Sequence, residues 1–217
     1  PAGGSFVDPV FGTEIIRLTD DADGDDNQVA YSYWPSFNAD STRIAINIDG
    51  TFTVYDFDPV SGQVVGKAPM PTSPTGPVSF EDAIWSNVDP NLIFVHTLGG
   101  RLYAYDFAGA QYALLKDFNV DLSGEYQWQM SKSKDDDAFA FTRRLSSDYS
   151  VLGYLVWHRS TDLLESFASP PEGVDEVHLD KTGRYLFVNT TQQGANTIEG
   201  NVRDLMTGTV EELTDGM

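Results

Sequence analysis

The sequence predicts an all-β chain of the β-propeller type, and three observations carry that prediction. Four segments repeat one grammar of four short strands. Their third strands recur at a spacing near that of propeller blades: Tyr55 to Tyr105 is 50 residues, Tyr105 to Trp157 is 52, and Trp157 to Arg203 is 46. No segment shows the 3.6-residue periodicity of a helix. A β-sandwich also uses many short strands, but it has no four-strand unit of this length.

The elements follow in order. The first unit runs Tyr33-Trp34-Pro35-Ser36-Phe37, a polar turn Asn38-Ala39-Asp40-Ser41-Thr42, and Arg43-Ile44-Ala45-Ile46-Asn47-Ile48. Asp49-Gly50 then turns the chain into Thr51-Phe52-Thr53-Val54-Tyr55-Asp56, and Pro59 to Gly62 turns it into Gln63-Val64-Val65. Alternation of Ile44, Ile46 and Ile48 with Ala45 and Asn47 predicts a strand with one well-buried face. The second unit repeats this with Ala83-Ile84-Trp85, Asn87-Val88-Asp89-Pro90, Leu92 to His96, and Arg101 to Asp106. The third has Gln127-Trp128-Gln129, Lys134-Asp135-Asp136-Asp137, Ala138 to Thr142, and Tyr154 to His158. The fourth has Glu176-Val177-His178, Asp180-Lys181-Thr182-Gly183, Arg184 to Val188, and Gly200 to Asp204. Blades are therefore expected near 31–66, 81–118, 125–167 and 174–215, as one propeller segment. Trp34, Trp85 and Trp128 hold equivalent places, which predicts a layer packed between blades.

Residues 14–20, Glu14-Ile15-Ile16-Arg17-Leu18-Thr19-Asp20, read like the final strand Val210-Glu211-Glu212-Leu213-Thr214-Asp215, since both carry Leu-Thr-Asp. They are expected to form an orphan outer strand whose three inner companions are missing. That makes the chain a partial propeller, or a half that associates with a second copy to close a ring. The start, Pro1-Ala2-Gly3-Gly4-Ser5, has no initiator Met and no apolar leader, as expected of a processed or excised segment.

Composition narrows the function. Of 217 residues, 33 are acidic and 13 basic, a formal charge of −20, which disfavours nucleic acid and anionic membrane surfaces as partners. The absence of cysteine excludes disulfides, thiolate nucleophiles and cysteine-bound metals. Walker, G-x-G-x-x-G, G-x-S-x-G and H-E-x-x-H motifs are absent, which removes the common NTPase, dinucleotide, esterase and zincin readings. An acidic, cysteine-free chain suits a secreted or periplasmic protein.

The stretch Asp8-Pro9-Val10-Phe11-Gly12-Thr13-Glu14-Ile15-Ile16-Arg17-Leu18-Thr19-Asp20, followed by Phe37-Asn38-Ala39-Asp40-Ser41-Thr42-Arg43-Ile44, resembles the opening of bacterial TolB-type, WD40-like propellers. That group includes propeller-fold polysaccharide lyases of the oligogalacturonate and ulvan type. The resemblance implies the fold, and it implies a polysaccharide or protein ligand.

Candidate site residues come from the chain itself. His178 lies on an innermost strand, where it can face the propeller axis, and is the leading general-base candidate. His158 replaces the Asp found at the same place in other blades and is expected to cap a turn. His96 closes a second strand beside Gly99-Gly100. Arg143 and Arg144 open a loop containing Tyr149; the arginines suit a uronate carboxylate and Tyr149 suits proton transfer in β-elimination. Arg101, beside a Gly-Gly turn, is a further substrate-binding candidate. Asp21, Asp23 and Asp25 match the first three ligand positions of a calcium loop, although Asp26 replaces the glycine and Ser32 the closing Glu. Calcium, if any cation binds, is expected on these three carboxylates; the plainer reading of the same residues is a solvated acidic loop between the orphan strand and the first blade. Asn189-Thr190-Thr191 is a glycosylation sequon.

Overall fold

The computed structural model describes residues 4–19, 21–30, 34–78, 80–81, 83–97, 99–171, 173–191 and 198–213. Eighteen strands are present among them. β1 (Ser5–Val7) and β2 (Glu14–Ile16) form a two-stranded sheet. The other strands form four antiparallel four-stranded sheets, each connected in chain order. The first comprises β3 (Asn27–Val29), β4 (Arg43–Ile48), β5 (Thr51–Phe57) and β6 (Val64–Pro69). The second comprises β7 (Ala83–Trp85), β8 (Leu92–Thr97), β9 (Arg101–Asp106) and β10 (Gln111–Asp117). The third comprises β11 (Glu125–Lys132), β12 (Ala138–Leu145), β13 (Val151–His158) and β14 (Leu163–Ala168). The fourth comprises β15 (Glu176–Leu179), β16 (Tyr185–Thr191), β17 (Ile198–Asp204) and β18 (Val210–Leu213). This is an arc of propeller blades.

Aspartate turns build the repeat. In the turn between the first two strands of each sheet, an Asp carboxylate accepts a backbone N–H two residues on: Asp40 from Thr42, Asp89 from Asn91, Asp135 from Asp137 and Asp180 from Thr182. Asp58, Asp106 and Asp204 do the same after a third strand, for Val60, Ala108 and Met206. Such Asx turns are local, which is why they recur as sequence signals. Hydrogen bonds from Thr42 lower the pKa of Asp40, and those from Val60 and Ser61 lower that of Asp58. Much of the acidic surplus is thus committed to turn geometry.

Packing between sheets supplies the core. Ala45, Phe52 and Val54 of the first sheet meet Trp85, Ile93, Val95 and Tyr103 of the second. Ile84, Phe94 and Leu102 of the second meet Met130, Phe139, Phe141 and Trp157 of the third. Ala138, Ala140 and Val156 of the third meet Val177, Leu186 and Val188 of the fourth. β4 is therefore buried on both faces. Its Ile44, Ile46 and Ile48 turn away from the second sheet and pack with Tyr55 and Leu18. The N-terminal segment stands outside the four sheets, as expected, but β2 has a partner in β1, and Leu18 covers the outer flank of the first sheet. Asp20 and residues 214–217, which complete the two Leu-Thr-Asp matches, lie outside the described residues.

One inner strand differs from expectation. The sequence places the first strand of the first sheet at 33–37, whereas its inner edge is built from two pieces. β3 pairs with Ile46 to Ile48, and the chain rejoins β4 farther along, where Ala45 N donates to Ser36 O and Asn38 N to Arg43 O. Between the pieces, Trp34 Nε1 donates to Met130 O of the third sheet at 2.7 Å. Trp85 is fully buried and donates to Ser36 O. Trp128 departs from this inter-sheet layer: it is half-buried, with the Arg144 guanidinium 4.5 Å from its ring centre. The sequon is no surface feature, because Asn189 is buried on β16 and donates to Glu176.

Candidate ligand site at the inner-strand ends

β7, β11, β15 and, in the first sheet, the segment at 36–38 lead into the Asp turns, and residues from all four units gather beside these turns. Two adjoining cavities lie among them. One, of about 340 Å³, is lined by Trp34, Pro35, Ile84, Asn87, Ser131, Lys132, His178 and Leu179. The other, of about 300 Å³, is lined by Ala39, Asn87, Lys132, Lys134, Leu179 and Lys181. Both volumes suit a small ligand or part of a larger one.

A buried ion pair fixes the floor. Lys132 and Asp136 face each other with side chains only 2% and 6% exposed. Asp136 also accepts from Ser86 Oγ and from Asn87 N, which ties the second sheet to the third. Burial lowers the Lys132 pKa, and Asp136 opposes that drop. Leu179 N donates to Ser131 Oγ at 2.9 Å, which sets the fourth sheet against the third.

His178 lies at this end of β15. Its Nε2 is 3.3 Å from Glu176 Oε1, two residues earlier on the same face, and Asn189 Nδ2 donates to that same oxygen at 3.4 Å. Its ring stacks on Phe187. A half-buried imidazole oriented by a carboxylate beside a cavity can accept or return a proton.

The other candidates are not brought to this place. Arg143 pairs with Gln127 in the ladder, near the start of β11, and gives its guanidinium fork to Glu125 at 2.7 and 2.6 Å. Arg144 lies over Trp128, and burial lowers its pKa while Asp175 opposes. Tyr149 is 59% exposed in the turn after β12, edge-on to Tyr126. Arg101, in the second sheet, donates to Asp117 at 2.8 Å. A strand the length of β11 spans about 26 Å, with Lys132 at one end and Glu125 at the other. The Arg143–Arg144–Tyr149 clamp therefore does not assemble with His178. Cross-strand partners claim Arg101 and Arg143.

The acidic loop does not gather a calcium-type ligand set. Asp21–Asp23 forms one turn of 3-10 helix, with Asp23 buried against Lys67, Asp21 3.3 Å from Arg17, and Asp25 exposed. Among the described residues, no three His, Asp or Glu side chains group closely enough to hold a metal ion. His158 lies 3.9 Å from Asp137 and 3.6 Å from Glu165, beside its turn. His96 is completely buried.

Sequence reasoning missed the lysines. Their signal was in the repeat: Lys134 and Lys181 sit in equivalent Asp turns of successive units, and Lys132 ends the strand before the first of them.

No protein-family model and no curated protein matches the chain. Solved structures do. An oligogalacturonate lyase in complex with manganese aligns with a TM-score of 0.52 at 11% identity, covering 97% of this chain and 72% of its own. The oligogalacturonate lyase of Vibrio parahaemolyticus aligns at 0.56 and 11%, covering 97% and 71%. A TolB-type protein of Agrobacterium tumefaciens aligns at 0.60 and 14%, covering 84% of this chain and 61% of its own. Such likeness establishes the propeller fold and leaves activity to the site. Among the described residues, no helix is long and apolar enough to cross a membrane.

Proposed function

We propose that this propeller recognises an acidic glycan of the uronate class, outside the cytoplasm, in the cleft between Trp34 and His178. The observation that supports this most is the cleft itself: an indole, a carboxylate-oriented imidazole and Asn87 line one cavity of about 340 Å³. An aromatic face beside polar groups is a usual platform for a sugar ring. Calorimetric titration with trigalacturonate should give saturable binding, and a neutral trisaccharide should bind more weakly. Equal heats, or no heat with either, would reject the reading and favour a protein-binding scaffold.

The Glu176–His178 contact favours a second reading, elimination. In it, His178 takes the proton from the carbon beside the uronate carboxylate, the C4–O bond breaks, and a C4=C5 double bond forms. The departing oxygen is protonated by the imidazolium or by water. Ultraviolet absorbance of an unsaturated uronate should then grow during incubation and be lost in His178→Ala. Binding without that signal would leave a glycan-binding protein.

Manganese is a property of the neighbouring lyase; among the described residues of this chain no three His, Asp or Glu side chains group closely enough to hold such an ion. A calcium ion on Asp21, Asp23 and Asp25 would require Asp23 to release Lys67. Calcium titration is expected to give no binding heat. Saturable heat that disappears in Asp23→Asn would restore the calcium loop.

A further inference from the structure

Five lysines occur in the chain. Three are engaged: Lys67 with Asp23, Lys116 with Asp121 and Asp162, and Lys132 with Asp136. Among the described residues, no carboxylate lies within ion-pair distance of the other two, Lys134 and Lys181, although the chain carries 33 acids. Both are exposed, and both line the cavity of about 300 Å³.

The surrounding acids explain why these ammonium groups are left over. Asp135 accepts from Ser133 Oγ and Asp137 N. Asp136 is held by Lys132 and Ser86. Asp137 accepts from Ser160 N and Oγ. Asp180 accepts from Thr182 Oγ1, Arg184 N and Tyr185 N. Every carboxylate of the two turns is thus folded back onto the protein.

The backbone holds the two lysines together. Lys134 N donates to Lys181 O at 2.9 Å. Gly183, at φ +73°, lets the turns touch, since a Cβ there would stand 3.1 Å from Ser133 Cβ and 3.2 Å from Ala138 Cβ. Two lysines on a clasped pair of turns that line one cavity can converge on one oxyanion, and each ammonium supplies three donors.

We propose that Lys134 and Lys181 form an oxyanion site that takes a carboxylate or sulfate group of the glycan, one sugar beyond the ring held between Trp34 and His178. The position along the glycan rests on the functional reading above; the anion site itself does not. Lys132, at the border of both cavities, joins the two places.

The test labels the protein with [ε-13C]lysine and titrates it with sodium sulfate against sodium chloride of equal ionic strength. The Lys134 and Lys181 signals, assigned through Lys134→Met and Lys181→Met, should move together and saturate, while that of Lys116 stays still. Both substitutions keep the aliphatic stem and break no ion pair. If all lysines drift alike, or none responds, the site is overturned. Trigalacturonate and a sulfated neutral trisaccharide are then titrated against wild type and the double variant. The variant should bind the cognate ligand about tenfold more weakly and with less salt dependence; whichever ligand shows this loss identifies carboxylate or sulfate. Unchanged affinity in the double variant overturns the assignment of Lys134 and Lys181 to the glycan's anionic group and spares the glycan reading. Saturating sulfate shifts with no glycan binding uphold the anion site and overturn the glycan reading.

Discussion

Asp136→Ala should lower the stability of the fold by about 3–5 kcal/mol, the range for breaking a buried ion pair by removing one partner. Lys132 is left as a buried ammonium without its carboxylate, and Ser86 Oγ and Asn87 N lose their acceptor together. The tie between the second and third sheets goes with them. Removing both charges, with Lys132→Met added, should recover part of the loss, because no uncompensated charge then remains. For comparison, Asp21→Ala removes a pair whose side chains are 55% and 103% exposed, and should cost under about 1 kcal/mol. Urea unfolding midpoints measure all three. A loss from Asp136→Ala as small as that from Asp21→Ala would show that the pair carries no structural load.

Acid should begin to destabilise the protein as the pH falls through about 6.5, through the buried His96. His96 is wholly buried among Phe118, Tyr126 and Phe141, and among the described residues neither of its ring nitrogens completes a well-formed hydrogen bond. Burial pushes its pKa down to about 3 from 6.5, and Gln127, also buried, opposes that only weakly. In the unfolded chain His96 takes up its proton as pH falls through 6.5, whereas in the native chain it stays neutral. The unfolded state therefore binds more protons between about pH 6.5 and 3, and stability falls across that window by about 1.4 kcal/mol per pH unit. Between pH 7 and 5 the loss should be about 2 kcal/mol, and His96→Leu should flatten it. Asp40, Asp135 and Asp180 all have lowered pKa values, so their contribution is lost only at lower pH. Equal unfolding free energies at pH 7 and 5 would contradict this account of His96.

What the sequence disclosed divides by the range of the interactions. The Asp turns are contacts across two residues, so Asp40, Asp89, Asp135 and Asp180 announced the four-sheet plan directly. His178 was legible for the same reason, since its place in the repeat puts it on an inner strand. Partners distant in the chain were not legible. Glu125 meets Arg143 18 positions away, through a ladder register that local pattern does not specify. Lys67 reaches Asp23 across 44 positions and occupies what read as a cation loop. The interrupted inner edge of the first sheet was hidden by the polar character of Asn27 and Gln28. The lysine pair required knowing that the turns of the third and fourth sheets touch.

The proposed ligand site at the inner-strand ends is tested most directly by one paired measurement. Trigalacturonate is titrated calorimetrically into His178→Ala and Tyr149→Ala, which alter partly exposed residues in two separate places. Affinity should fall about tenfold or more in His178→Ala and stay at the wild-type value in Tyr149→Ala. Loss of binding in Tyr149→Ala with His178→Ala unaffected would place the ligand at the Arg143–Arg144 loop and contradict the site described here.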